Sequence, residues 1–324
     1  MKIKRRNIAK NFMIMDYQEK IKKLKEQKNA VILAHFYQIP EIQEIADYVE
    51  DSLGLSQKAA ETDAKIIVFC GVKFMAETAK ILNPDKKVLL PDMNAGCSLA
   101  DSCNYNDFKS FKEQHPDHIV VSYINCSAEV KTLSDIICTS GNAVQVINSI
   151  PENRPIIFAP DKNLGSYINK ITGRKMLLWD GTCKVHDILK EEEILRLKIE
   201  NKDAKLIAHP ECKAAILELA DFIGSTAAML KFIKEDRSKR YVVATETGII
   251  HQMKKVAPDK EFIIAANEKN CSCNDCEYMK LITIEKLYHC LENELPEIIL
   301  DEATINKAKK PLLKMLEISK TAKK

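Results

Sequence analysis

Three cysteines with similar surroundings are the residues of this 324-residue chain best suited to metal chemistry. Cys97, Cys183 and Cys276 each lie in a loop after a similar stretch of sequence, at intervals of 86 and 93 residues. If three related domains pack about a pseudo-threefold axis, these loops meet, and three thiolates can hold a cubane iron–sulfur cluster while one iron stays open to substrate. Such an iron acts as a Lewis acid, so the spacing favours a cluster that takes part in chemistry.

A compact cysteine run at one end of this pattern offers a competing metal site. Cys271, Cys273 and Cys276 could hold zinc or a cluster by themselves, with Cys290 or His289 as a fourth ligand. Alternatively, Cys271 and Cys273 could form a redox-sensitive pair, because adjacent thiols near a cluster are prone to oxidation. The sequence leaves these alternatives open.

Polar side chains also follow three apolar runs that have the character of buried parallel strands. In parallel sheets the ligand lies outside the carboxyl ends of the strands, so these side chains are expected to line one cavity. The residues concerned are His35, Tyr37, Tyr123, Asn125, His209 and Glu211.

The same arrangement returns three times along the chain. A second helix is expected to begin 17 residues after each strand end, near Ser52, Ser140 and Thr226. Alternating strands and helices predict parallel sheets covered by helices, so we predict an α/β protein of three related αβα sandwich domains around a pseudo-threefold axis. The expected divisions are 1–110 with a leading helix, 111–200, 201–282, and closing helices with a tail over 283–324.

Composition limits the classes of function. The 49 basic and 46 acidic residues nearly balance to a net charge of +3, which does not indicate nucleic-acid binding. The apolar runs are far shorter than the ~20 residues of a membrane span. The basic N-terminal stretch lacks the apolar region of a secretory signal, so we expect a cytoplasmic protein that binds no membrane.

With these residues assembled, the sequence resembles the quinolinate synthase family, iron–sulfur enzymes of de novo nicotinamide nucleotide synthesis. The resemblance covers nearly the whole chain and implies three αβα domains around a pseudo-threefold axis, in agreement with the repeat. The motifs that carry it include Ala34-His-Phe-Tyr-Gln, Asp92-Met-Asn-Ala-Gly-Cys97-Ser, Thr139-Ser-Gly-Asn-Ala, Trp179-Asp-Gly-Thr-Cys183-Lys-Val-His186, Ala208-His-Pro-Glu-Cys, Thr245-Glu-Thr-Gly and Cys276-Glu-Tyr-Met.

The resemblance implies a reaction and a set of ligands. Cys97, Cys183 and Cys276 would hold a [4Fe-4S] cluster, beside which iminoaspartate and dihydroxyacetone phosphate condense to quinolinate with loss of phosphate and water. An aspartate-oxidising enzyme is a possible functional partner. The residues implied to line the cavity are His35, Tyr37, Ser52, Tyr123, Asn125, Ser140, His209, Glu211, Ser225 and Thr226.

Roles follow from the chemistry of these residue types. Glu211 is the candidate general acid or base, because ring formation removes protons and expels hydroxide. Tyr37 and Tyr123 can donate hydrogen bonds to developing oxyanions. His35 and His209 can neutralise carboxylates or shuttle protons.

Donors for the substrate carboxylates and phosphate are expected at three helix starts. The free backbone N–H groups and positive dipole ends near Ser52, Ser140 and Ser225-Thr226 would attract these anions. Taken singly, each of these serines is also explained as an N-cap.

Two departures from the family pattern concern the third cysteine. The spacing before it begins Cys-x-Cys where the family often has Cys-x-x-Cys, and Glu277 stands where proline is common. Two other functions remain open: an iron–sulfur sensor or scaffold without catalysis, and a hydro-lyase that uses an open iron on a hydroxy acid. The matched histidine, tyrosine and glutamate at strand ends count against the sensor.

Overall fold

The computed structural model describes residues 2–265 and 274–321, with side chains from residue 13 onward. Three parallel four-stranded sheets form its framework. Their strands, in chain order, are β1 Ala30–His35, β2 Tyr48–Glu50, β3 Ile66–Cys70, β4 Lys87–Leu89, β5 Ile119–Tyr123, β6 Ile136–Cys138, β7 Ile156–Ala159, β8 Leu177–Leu178, β9 Lys205–Ala208, β10 Phe222–Ile223, β11 Arg240–Ala244 and β12 Glu261–Ile264.

Helices connect and flank these strands, and a 3-10 helix spans Met279–Leu281. In the described part of the chain the α-helices are α1 Lys2–Gln27, α2 Pro40–Gln43, α3 Ser52–Glu61, α4 Lys73–Leu82, α5 Ser98–Asp101, α6 Tyr105–Glu113, α7 Ala128–Lys131, α8 Ala143–Asn148, α9 Lys162–Thr172, α10 Lys184–Asp187, α11 Glu191–Glu200, α12 Ala214–Leu219, α13 Thr226–Glu235, α14 Ile249–Val256, α15 Ile284–Asn293 and α16 Glu302–Thr321.

The strand order confirms the predicted α/β fold with three related domains. The sheets run β2-β1-β3-β4, β6-β5-β7-β8 and β10-β9-β11-β12, so each repeat has the same topology. An aspartate before each edge strand accepts a hydrogen bond from a backbone N–H of the central strand, 15 residues earlier in every repeat. These bonds are Ile32 N to Asp47 at 2.8 Å, Val120 N to Asp135 at 2.8 Å and Leu206 N to Asp221 at 2.7 Å.

One detail differs from the sequence-based expectation. The edge strands β2, β6 and β10 were not predicted, because runs of two or three residues are too short for a period-2 pattern to be recognised. A division between residues 110 and 111 would fall inside α6, so the domain limits remain a proposal.

The first two sheets share one apolar core with the closing helices α15 and α16. Ile67, Phe158 and Leu312 are fully buried in this core. The third sheet packs its two faces on separate clusters, one of which contains Leu206 and the other Tyr241. No helix in the described ranges is long and apolar enough to cross a membrane.

Candidate active site

A narrow cavity of about 60 Å³ lies where the carboxyl ends of the three sheets meet. All three repeats contribute predicted residues to its lining: His35, Tyr37, Ser52, Cys97, Tyr123, Asn125, Ser140, Cys183, His209, Glu211, Thr226 and Cys276. Ser225 is the predicted site residue that does not line it.

The helix starts around the cavity are capped differently from expectation. Asp51 caps α3 by accepting from Gly54 N at 2.9 Å, so Ser52 is the first helical residue. Ser225 is a true N-cap of α13, because its hydroxyl accepts from a backbone N–H inside the helix. Ser140 lies in the turn before α8, which begins only at Ala143. The two true helix starts are therefore those of α3 and α13.

Glu211 lies at the centre of a buried polar network and is only 3% exposed. One carboxylate oxygen lies 2.8 Å from His186 Nδ1 and 3.3 Å from His209 Nδ1. The two imidazole rings stack with centroids 4.9 Å apart. Burial alone would raise the pKa of Glu211, but the two histidines outweigh it and hold the pKa well below its usual value. The ionised form of Glu211 is therefore favoured, and burial lowers the pKa of His209 although the charge of Glu211 opposes that effect.

Hydroxyl groups extend this network into the neighbouring repeats. His186 Nε2 lies 2.9 Å from the Thr245 hydroxyl, which also shares a hydrogen bond of 2.7 Å with the Tyr37 hydroxyl. His209 Nε2 lies 3.2 Å from the Ser140 hydroxyl. The network thus joins side chains from all three sheets, and it orients the rings that contact Glu211.

His186, Thr245 and Asp161 belong to this site although sequence reasoning assigned them no role. His186 follows Cys183 by three residues, a spacing that was the available signal for it. Asp161 is fully buried and caps α9 by accepting from Leu164 N at 2.8 Å. Burial, followed by the charge of Glu211, raises the pKa of Asp161 well above its usual value.

The remaining strand-end side chains are held in their uncharged forms. Burial, followed by the charge of His209, lowers the pKa of His35 to about 3. Burial and then the charge of Glu211 raise the pKa values of Tyr37 and Tyr123 well above normal. His35 is therefore neutral at pH 7, and the two phenols remain hydrogen-bond donors.

The three cysteines lie between this cavity and a second, outer one. Cys97, Cys183 and Cys276 line both spaces, and the outer one also includes Lys184 and Glu277, which form an ion pair of 3.0 Å. Each of the three repeats therefore contributes one predicted cysteine to a shared wall of the cavity.

Backbone groups around two of these thiols favour the thiolate form. Burial raises the pKa of Cys97 to about 12 and that of Cys276 to about 11. Backbone hydrogen bonds to the sulfur atoms oppose this effect and lower the pKa. At Cys97 they come from Leu99 and Ala100, and at Cys276 they come from the residues two and three positions later. A bound cation would supply the remaining charge compensation that thiolates need in an apolar site.

The side chains around the cavity could hold a metal. Among the described residues, the group close enough to hold one metal ion is Cys183, His186 and Glu211, with ligand atoms within 4.8 Å of one another. Cys97 and Cys276 do not belong to this group, but together with Cys183 they line one cavity.

Two of the four alternative ligands near the third cysteine lie apart from this arrangement. Cys271 and Cys273 lie outside the described residues. Cys290 is buried in the core of the first two sheets, and His289 contacts Glu292 at 3.3 Å. Neither Cys290 nor His289 lines the cavity.

A buried ion pair fixes the loop of the third cysteine. Glu246 is fully buried and accepts from Cys276 N at 3.0 Å. Lys280 Nζ lies 2.7 Å from the same carboxylate and also donates to the Tyr37 carbonyl at 2.7 Å. This pair therefore ties the cysteine loop to both the third and the first repeat.

The fold and the cavity define an α/β protein that binds a small molecule at the carboxyl ends of three related parallel sheets. A family model described as quinolinate synthetase A protein matches residues 19–317. The quinolinate synthase of Microcystis aeruginosa is 60% identical over 299 residues, covering 92% of this chain and 94% of that protein. The quinolinate synthase of Nostoc punctiforme is 56% identical over 315 residues, 97% of each chain. This chain belongs to the quinolinate synthase family.

Proposed function

We propose that this chain condenses iminoaspartate with dihydroxyacetone phosphate to form quinolinate, releasing phosphate and water. The observation that carries the proposal is the convergence of three loop cysteines and the strand-end polar residues on one buried cavity. Family membership supports the product. Iminoaspartate would come from an enzyme that oxidises aspartate, and quinolinate would serve the synthesis of nicotinamide nucleotides.

The cysteines are the proposed ligands of the cofactor. Cys97, Cys183 and Cys276 would hold a [4Fe-4S] cluster at three of its irons. When bound, such a cluster supplies one iron without a protein ligand, which can act as a Lewis acid. The polar side chains of the same cavity then carry out binding and proton transfer.

Substrate binding is proposed to rest on neutral donors rather than on lysine or arginine. The N-termini of α3 and α13 point positive dipole ends and free N–H groups toward Ser52 and Thr226, which line the cavity. These ends would hold the carboxylates or the phosphate. His35 would add a neutral hydrogen bond, since its lowered pKa keeps it uncharged.

Proton transfer is proposed to occur at the pair of Glu211 and His186, with His209 beside it. A carboxylate with a lowered pKa is by itself a weak base, but it raises the basicity of an imidazole that it contacts. Glu211 would therefore orient His186 or His209 and stabilise the imidazolium that forms. The proposal keeps Glu211 in acid–base chemistry and places the mobile proton on a histidine.

The tyrosines would stabilise negative charge on oxygen. Tyr37 and Tyr123 remain protonated, because burial and the nearby Glu211 raise their pKa values. A protonated phenol can donate to an oxygen that gains charge as a carbonyl or imine is converted to its enol or enamine form.

An anaerobic assay tests the proposal directly. Protein reconstituted with iron and sulfide is incubated with dihydroxyacetone phosphate and freshly generated iminoaspartate, and quinolinate is measured by chromatography. We expect quinolinate only when both substrates and the reconstituted protein are present. Dehydration of a hydroxy acid without quinolinate would favour a hydro-lyase, and a cluster-containing protein that turns over neither would favour the sensor.

A further inference from the structure

Two buried side chains hold the turns that follow β1 and β5. Gln43 and Lys131 each lie eight residues after the strand-end site residue of their repeat, and they are 2% and 0% exposed. Gln43 Nε2 donates to the carbonyls of Phe36 at 3.0 Å and Gln38 at 2.7 Å. The same side chain thus fixes the carbonyls of the residues before and after Tyr37.

Lys131 makes the equivalent contacts in the second repeat. Its ammonium donates to the carbonyl of Ile124 at 3.1 Å and to the carbonyl of Cys126. These residues flank Asn125, as Phe36 and Gln38 flank Tyr37. An amide in one repeat and an ammonium in the other therefore perform the same task at the same position.

In the third repeat a different residue holds the turn after the strand. The equivalent position is Leu217, which is apolar and packs in the core of the third sheet. The residue equivalent to Tyr37 and Asn125 is Glu211, whose carbonyl accepts from Asn163 Nδ2 at 3.1 Å. In all three repeats, an amide or ammonium group therefore bonds a carbonyl at or next to the matched site residue, which is Tyr37, Asn125 or Glu211.

The stability contribution of Lys131 is a balance of opposing effects. Its ammonium is buried with carbonyl partners, and no carboxylate in the described ranges forms an ion pair with it. The ring of Phe74 lies 5.5 Å from the charge. A methionine of similar volume would remove the cost of a buried charge but leave the Ile124 and Cys126 carbonyls without this donor, so the two effects on the free energy of unfolding oppose each other.

We propose that Gln43 and Lys131 are positioning residues that hold Tyr37 and Asn125 in the geometry the reaction needs. Tyr37 contacts the hydroxyl that orients His186, and Asn125 Nδ2 lies 3.5 Å from Glu211 Oε1. A shift of either turn is transmitted to the Glu211 network. The inference rests on the proposed function and adds two residues to it.

A comparison of Lys131→Met with Lys131→Gln tests the proposal. The methionine variant removes the donors, and we expect it to keep the iron content and thermal stability of the parent but to lose between about 10-fold and 100-fold in kcat/KM, the cost of a small misplacement. The glutamine variant carries the same amide donor as Gln43 in the first repeat, so it should recover most of the lost kcat/KM. Lys112→Met is the matched control, because Lys112 donates to the Leu133 carbonyl at 2.6 Å, outside the site turns.

Backbone hydrogen exchange supplies a readout that does not depend on activity. Peptides covering residues 123–127 should exchange faster in Lys131→Met than in the parent or in Lys131→Gln. If the parent makes no quinolinate, the proposed function fails, while the exchange result still decides whether Lys131 holds the turn.

Two results would overturn the inference. One is unchanged exchange and unchanged kcat/KM in Lys131→Met; the other is an equal loss of iron and stability in both Lys131 variants, which would show a merely structural role. If Lys131→Met does not fold, Gln43→Met is measured in the same way with peptides covering residues 35–39. Unchanged exchange there contradicts the proposal.

Discussion

At the scale of single residues, the charge of Glu211 affects the pKa values of several side chains in the cavity. Two stacked histidines share its carboxylate, and no lysine or arginine forms an ion pair with it in the described part of the chain. Removing its charge should therefore affect chemistry more than folding, because burial already lowers the pKa of His209 and favours its neutral form without the carboxylate.

Glu211→Gln should lower quinolinate formation by at least about 100-fold, the lower end of typical acid–base contributions. The amide keeps the shape of the side chain, so iron content and melting temperature should stay near those of the parent. Glu218→Gln is the control, because Glu218 is 65% exposed and pairs only with Lys170 on the surface. Near-normal turnover by the Glu211 variant would exclude it from the mechanism.

Cysteine substitutions separate the two possible metal sites. Serine at Cys97, Cys183 or Cys276 should abolish the brown chromophore of anaerobically prepared protein, as followed by its visible absorbance and iron content. If Cys271 and Cys273 proved necessary while Cys97 proved dispensable, the compact run would be the metal site. Three cysteines buried in the apolar core serve as controls that should keep the chromophore when replaced by serine: Cys70, Cys138 and Cys290.

The pKa of His35 predicts how the metal-free protein responds to acid. The pKa is about 3 in the folded protein and near 6.5 in the unfolded chain. Between these values the unfolded state binds more protons, so the free energy of unfolding must decrease as the pH falls from 6.5 toward 3. The His35→Gln variant has no titrating ring at this position. In urea titrations, its free energy of unfolding should decrease less between pH 7 and pH 5 than that of the parent. An identical pH dependence in both proteins would contradict the buried neutral histidine.

At the scale of elements, the loop of Cys276 depends on a buried charge pair formed by Glu246 and Lys280. Lys280→Met would leave the fully buried Glu246 without its cation, which typically costs about 3–5 kcal/mol. We expect this loss in urea unfolding, together with a lower iron content after reconstitution. The double variant with Glu246→Gln should regain part of the stability, because no uncompensated charge remains.

A surface ion pair from the same region supplies the comparison. Lys286→Met removes a pair with Asp92 in which the lysine side chain is 43% exposed, so its cost should stay below about 1 kcal/mol. Equal losses in Lys280→Met and Lys286→Met would show that the pair of Glu246 and Lys280 has no special part in holding the loop.

At the scale of the whole molecule, α16 completes the core that the first two sheets share. Leu312 is fully buried in this helix, whereas its neighbour Leu313 is 48% exposed. Leu312→Ala should lower the free energy of unfolding by about 2–5 kcal/mol through lost burial and a residual cavity. Leu313→Ala should change it by less than about 0.5 kcal/mol, as is usual at the surface. Similar values for both variants in urea titrations would mean that α16 is not part of the cooperative core.

A proline interrupts the backbone hydrogen bonds of this helix. Pro311 lies inside α16, although proline usually breaks or starts a helix. Ala308 and Leu312 on either side of it are fully buried, so tertiary packing of this helix outweighs the missing backbone hydrogen bond.

Much of this arrangement is readable from the sequence alone. The first strand of each repeat is a continuous apolar run, and each of these runs ends in polar residues. Because strand and helix patterns are local, the triplication, the sheets and the residues at strand ends such as His35 and Tyr123 could be predicted. The cysteine intervals followed from the same repeat.

Only the tertiary structure decided which of these residues touch. His186 and Glu211 are 25 residues apart and belong to different repeats, and Thr245 meets Tyr37 across 208 residues. Such contacts depend on how three domains pack, which no local pattern encodes. The same reason hid Lys131 and Gln43, since a polar residue in a short helix becomes informative only when its buried carbonyl partners are seen.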